Sequence, residues 1–288
     1  MVNGIALGSL YALIAIGYTM VYGIVRLINF AHGDIIMLAS YFVYFGYGLF
    51  ALPWWLAVVC AVLLTTIVGM MIEKGAYAPL RGSSRISILI SAIGVSFLLE
   101  NLAIVIFGGR PQRFYTPEIF TIVLKPAGMS IPLLTLIIPV VMILLLLGLL
   151  YLVHRTRIGM AMRACAKDFE TASLMSIDVN RVITITFGIG SLLAAVGGIL
   201  WSLRYPQIQP LLGVMPGLKC FCAAVLGGIG NITGAVIGAV ILGMVEIMLV
   251  AFMPGLSGYR DAFAFLILIL ILLFRPTGIL GEKIAEKV

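Results

Sequence analysis

Charge is what this chain has least of. Of its 288 residues, 18 are Lys or Arg and 11 are Asp or Glu, so 10% are charged, against about 25% in soluble domains. Histidine occurs twice, as His32 and His154, too far apart to read as a metal pair. The four cysteines, Cys60, Cys165, Cys220 and Cys222, form no C-x-x-C pair and have no His neighbour, so they read as small apolar side chains. No G-x-x-x-x-G-K-[ST], G-x-S-x-G or H-E-x-x-H stretch occurs. Nucleotide hydrolysis by a P-loop is thereby excluded, and no catalytic residue, metal site or cofactor can be named. A 31.0 kDa globule in water needs more polar surface than this sequence can supply. Disordered, collagenous and nucleic-acid-binding classes fall with it.

What is abundant is apolar surface, at 62% of residues and a mean hydropathy of +1.21. That is the composition of an all-α protein crossing a membrane several times. A crossing needs roughly 20 apolar residues. Candidate spans are Val2–Val25, 35–52, 53–72, Ile86–Phe107, 131–153, 182–203, the long region 217–252, and a last one ending at Phe274. Pro139 is expected to kink the fifth. The region 217–252 is too long for one crossing, so the total is eight or nine. The first span has no basic n-region and reads as a true span, not a cleaved leader. The whole chain, 1–288, forms one membrane domain, with a polar loop at 154–181.

The formal net charge of +7 serves to orient the chain. Placing the 154–181 loop inside also brings Arg26, the 73–85 loop and the tail with Arg275, Lys283 and Lys287 inside. Fewer basic residues, among them Arg110, Arg113 and Arg204, then lie outside, with Lys219 at the edge. The N-terminus is expected outside.

Four features could carry function. In the polar loop Ile158, Met162, Cys165, Phe169 and Ala172 fall on one helical stripe, with Arg163 on another face. Such a helix either lies on the membrane surface or docks in a partner's groove. In AVLGGIGNITGAVIG, residues 224–238, glycine is dense enough to break a helix. A break at membrane depth must line a cavity or be buried in protein, so Gly227, Gly228, Gly230, Asn231 and Thr233 are candidates for a translocation path. Close packing through small-xxx-small spacing is the alternative. RLINFAHGD, residues 26–34, is either a cytosolic turn or part of a gate or vestibule involving Asn29, His32 and Asp34. Glu100 and Glu246 sit in apolar runs, where a carboxylate faces a cavity or a partner.

These motifs resemble one family. NGIALGSLYALIAIGYTMVYGIVRLINFAHGD, RTRIGMAMRACAKDFETASLMSIDVNRVITITFGIG, AAVLGGIGNITGAVIGAVILGMVE and the terminal FRPTGILG are similar to the LivH-type permeases of branched-chain amino acid ABC transporters. The likeness runs from Asn3 to Gly281. It implies a bacterial or archaeal cytoplasmic-membrane subunit, not an enzyme itself. The implied partners are a sister LivM-type permease, two cytosolic ABC ATPases and an external substrate-binding protein. It also implies a coupling helix to the ATPase over residues 156–172, involving Ile158, Met162, Arg163, Cys165 and Phe169. Branched-chain or other hydrophobic amino acids are the implied cargo, with urea or short amides, or a self-sufficient secondary transporter, as alternatives.

Overall fold

Inside a bilayer, backbone amides find no water, so an apolar chain closes its hydrogen bonds within helices. The computed structural model of the protein describes residues 1–125 and 130–281, without the side chain of Arg85. Its helices are α1 Val2–Val25, α2 His32–Gly48, α3 Trp54–Ile72, α4 Arg85–Phe107, α5 Leu133–Arg155, α6 Arg157–Lys167, α7 Phe169–Leu174, α8 Val179–Arg204, α9 Val214–Gly227, α10 Ile232–Phe252 and α11 Arg260–Phe274. Among the described residues, 7 segments are long and apolar enough to cross a membrane. The 17-residue α2 and the 14-residue α9 are shorter. At 1.5 Å per residue they span about 26 Å and 21 Å, against roughly 30 Å of hydrocarbon.

Helix α1 is the axis of the bundle, with 94% of its most apolar stretch buried. Glycine permits this. Gly4 lies against Met244, Gly8 against Val240 and Gly243, and Gly23 against Gly230, so α1 and α10 run antiparallel, backbone to backbone. On another side, Gly190 of α8 packs on Gly17. Outer helices bury little: 11% of the corresponding stretch of α4, and 6% of the segment containing α11. Leu98, Val105, Leu144, Ile269 and Leu273 are exposed there, as lipid or partner contacts require.

These contacts also define two ends. Asn3 receives a hydrogen bond from Arg204, which places both at one end. Gly23, Gly230 and the tail at Leu280 and Gly281 gather at the other, beside α6 and α7. The second end holds the basic loops expected inside and is called the inner end on that ground, the first the outer end; Lys283 and Lys287, counted with the inner end, lie outside the described residues. At the outer end the chain forms two short antiparallel ladders. In one, β1 Gln112–Arg113 pairs with β4 Gln207–Ile208; in the other, β2 Val123–Leu124 pairs with β3 Ile131–Pro132.

Several boundaries differ from those read in the sequence. The second helix begins at His32, not 35, because Asn29, His32 and Asp34 of RLINFAHGD are protein-packed rather than solvated. The third span does not end at Glu73. It continues as a π-turn over Glu73–Tyr77 and a 3-10 turn over Ala78–Leu80, and Glu73 is fully buried. The tail is not a free polar extension up to Gly281: Ile279 and Leu280 donate to the Leu226 and Gly227 carbonyls.

Candidate functional site

The segment after α1 positions the first part of the site. Arg26 ends α1 in a left-handed conformation, φ 54°, and the chain turns back into the bundle. Asn29 accepts a hydrogen bond from Tyr77 at 2.7 Å. His32 lies in mid-bundle, with Nε2 3.2 Å from the Ile14 carbonyl and its ring edge-on to Tyr18 at 4.5 Å. Gly17, which also touches His32, precedes the end of α1 by eight residues, or about 12 Å of helix. Helix α2 therefore starts well inside the membrane-spanning region.

Helix α9 starts there too, reached from the opposite end. After α8 the chain descends through residues 205–213, with Ile208 fully buried, before α9 begins. The two helix starts meet at glycines. A Cβ on Gly33 would fall 2.6 Å from the Gly213 carbonyl oxygen, and one on Gly217 would fall 2.9 Å from the Gly33 Cα. Only glycine permits this approach. Two half-helices thus bring their amide ends, each with a partial positive charge, to one place inside the bundle.

A cavity of about 180 Å³ opens at that junction. Asp34, Ser96 and Glu100 supply its polar wall, and Ile93, Phe97 and Leu218 part of its apolar wall. Asp34 is 2% exposed, and its Oδ2 accepts from the Ser96 hydroxyl at 2.6 Å. Ser96 and Glu100 are one helical turn apart on α4, so they face the same space.

Glu246 is not in that space. Its carboxylate accepts from Tyr11 at 3.1 Å and pairs with Lys219 at 3.1 Å and Arg260 at 3.6 Å, while Lys219 also reaches Asp261 at 2.5 Å. Lys219 is nearly buried and belongs to this internal ion cluster, not to a membrane edge. Cations of its own chain occupy the oxygens of Glu246.

The glycine-rich segment is also elsewhere. It is the turn between α9 and α10, at the inner end, level with Gly23. Gly228 and Gly230 take φ of 109° and 97°, which glycine alone adopts without strain. Gly227 and Gly234 touch backbone to backbone. Asn231 caps α10 by accepting from the Gly234 amide and donates to the Leu280 carbonyl, both at 3.0 Å. Thr233 is exposed. The break expected at membrane depth is a packed reverse turn. The breaks at depth precede α2 and α9, where glycine is sparser.

At the inner end, Thr156 caps α6, Asp168 caps α7 and Asp178 caps α8. The stripe seen in the sequence divides. Met162, Cys165 and Ala172 turn into the chain's own core, whereas Ile158 and Phe169 are exposed. Burial pushes the Cys165 thiol above its usual range. Arg163 donates to the Val153 carbonyl at 2.7 Å. Met162 and Cys165 are thus unavailable to a docking partner. Beside this loop, buried Glu73 pairs with Arg81 and accepts from Thr184 at 2.6 Å, and Arg81 also holds Asn180, clasping α3 to α8. Ser96, Gly33, Gly213, Gly217 and Lys219 carried no functional signal as isolated residues. The Gly-x-x-Pro-Gly spacing at Gly213, Pro216 and Gly217 was the clue to a helix starting late.

A lipid-facing bundle in which two half-helices meet at a partly polar cavity is the architecture of a membrane transport protein. The chain belongs to the family described as branched-chain amino acid transport system, permease component, whose model matches residues 1–272. It is 44% identical to the high-affinity branched-chain amino acid transport system permease protein LivH of Escherichia coli, over 100% of this chain and 96% of that one. It is 43% identical to the corresponding BraD of Pseudomonas aeruginosa, over 100% and 97%. Among solved structures, PsaBC from Streptococcus pneumoniae in complex with Fab matches with a TM-score of 0.51 at 13% identity, over 96% of this chain and 91% of that one. That last likeness is one of fold alone.

Proposed function

We propose that this chain is one of two permease subunits of an ATP-driven importer, in the cytoplasmic membrane of a bacterium or archaeon, for branched-chain and related hydrophobic amino acids. The observation that carries this reading is the identity of more than two-fifths to branched-chain amino acid permeases along the entire chain. The cavity at the α2–α9 junction suits it, being small and lined by both polar and aliphatic side chains. Asp34 and Glu100 belong to this path, with Asn29 and His32 in the re-entrant segment behind it.

The remaining parts of such a machine fit the surfaces left open. Arg260 and Asp261 are each 40% exposed on a helix that buries almost nothing in its own chain. Charges at that depth do not face lipid, which supports a sister permease covering α4 and α11. At the inner end, Ile158, Met160, Leu174 and Met175 are exposed apolar side chains beyond the spans. They and Phe169 form the surface offered to a cytosolic ATPase. A substrate-binding protein would meet the outer ladders.

The test is reconstitution in proteoliposomes with the sister permease, ATPases and binding protein. Leucine uptake is expected only with ATP, and this chain alone is expected to hydrolyse none. Uptake driven by a proton or sodium gradient without ATP would falsify the assignment.

A further inference from the structure

The carboxylates within the membrane-spanning region divide into two kinds. Glu73 has Arg81, Glu246 has Lys219 and Arg260, and the half-exposed Asp261 has Lys219. Asp34 and Glu100 have no ion-pair partner among the described residues, and they line the same cavity. Removing a carboxylate from water without a counterion is costly. The amide end of α2 offsets part of that cost for Asp34, which sits in its first turn. Glu100 has no such help.

The start of α9 offers no free amide to that cavity, because the Val214 N–H donates to the Leu211 carbonyl, Pro216 has no N–H and the Gly217 N–H donates to the Gly213 carbonyl. Both Gly213 and Val214 line the cavity. The two unpaired carboxylates therefore share one cavity of about 180 Å³, and no fixed cation among the described residues lies in it. Beside them Ile93, Phe97 and Leu218 present apolar surface.

We propose that this cavity binds an aliphatic amino acid in transit, its ammonium group held by Asp34 and Glu100 and its side chain against Ile93, Phe97 and Leu218. Ser96 is a positioning residue: its hydroxyl fixes Asp34 Oδ2. The proposal rests on the importer reading above and assigns to this chain a selectivity step of its own, after the binding protein. It requires a charged amine beside an aliphatic group, so an aliphatic alcohol or a short amide would bind poorly. The shared chemistry of the acidic wall is attraction of a cation, and a free monovalent metal ion is the other source to be distinguished.

The experiment uses the complete complex in proteoliposomes. Ser96→Cys is labelled with small methanethiosulfonates carrying either an ammonium or a sulfonate group, with the labelling of the parental complex subtracted. The ammonium reagent is expected to react at least tenfold faster. Glu100→Gln should bring the two rates close together, and leucine should slow the ammonium reagent where isobutanol and sodium chloride do not. Separately, Asp34→Asn and Glu100→Gln should each lower leucine uptake at least tenfold while the ATPases still co-purify, and Ser96→Ala should raise KM more than it lowers kcat. Equal reagent rates, or protection by sodium ions instead of leucine, would overturn the site. So would wild-type uptake by both carboxamide variants. Failure of the unmodified complex to import leucine with ATP would instead strike the importer reading, and the labelling result would stand apart from it.

Discussion

Lys219 shows what a single residue owes to its surroundings. In the sequence it is a lone cation in an apolar run, and a tally of basic residues counts it at a membrane surface. In the fold it is a nearly buried member of a cluster with Glu246, Asp261 and Arg260, with its ammonium 5.9 Å from the centre of the Tyr11 ring. The cluster joins α9, α10 and α11 and reaches α1 through the Tyr11 hydroxyl. Removing one partner from such a pair leaves the other uncompensated, at a cost of about 3–5 kcal/mol. Lys219→Met is therefore expected to lower the detergent melting temperature sharply, and the double variant with Glu246→Gln should recover most of the loss. A single variant as stable as wild type would show that water screens the cluster. Glu100 could be flagged in the sequence as an intramembrane acid, but its lack of a partner could not. That depends on where every cation of the chain ends up.

Among elements, the α9–α10 turn departs furthest from its sequence pattern. Dense glycine is compatible with an open break or with a tight turn, and composition does not choose between them. The positive φ at Gly228 and Gly230 and the docking of the tail decide for a turn. The two glycines should then differ. A Cβ at Gly228 would lie 2.4 Å from the Gly281 amide nitrogen, whereas at Gly230 the nearest atom is Gly23 Cα at 3.7 Å. Gly230→Ala carries mainly backbone strain, about 1–3 kcal/mol. Gly228→Ala adds a backbone clash and should cost more, with loss of yield as well as transport. Thermal melts of the two variants check the order. If Gly228→Ala folds as wild type and only transport fails, the turn belongs to the path after all. The helix starts at His32 and Val214 have the opposite history. Their sequence signals are weak because a half-helix looks like a full one whenever its non-helical approach is also apolar, as in residues 205–213.

For the whole molecule, the arrangement fixes which residues share a side of the membrane. Tyr115 belongs to the outer end and is 45% exposed, while Leu174 belongs to the inner end and is 83% exposed. A cysteine at position 115 should react with a membrane-impermeant maleimide added to intact cells, and one at position 174 only after lysis. The reverse pattern would invert the whole topology, since the contacts between α1 and α10 tie the two ends together. Outward faces of α3, α4, α5 and α11 are almost wholly apolar, as a bilayer demands. Basic or acidic residues reach the surface at the inner end of α5, as His154 and Arg155, and on α4 and α11, as Glu100, Arg260 and Asp261; the second group helps locate the face a second permease would cover.

By itself the sequence determined the class of the protein and the approximate positions of most of its spans. Hydrophobicity along a chain is a local property, and lipid imposes the same requirement on every segment that crosses it. It also established the family, through motifs extending along nearly the whole length. Tertiary structure alone decided the depth of each polar residue and its company. Whether a glycine run is a gate or a turn, whether Met162 faces a partner or its own core, and which carboxylates lack a counterion are all properties of pairs. The members of those pairs are far apart in sequence: Asp34 is 62 residues from Ser96, and Tyr11 is 235 from Glu246. No periodicity within one segment can report a contact with another, so the cavity at the α2–α9 junction became visible only once the helices were packed.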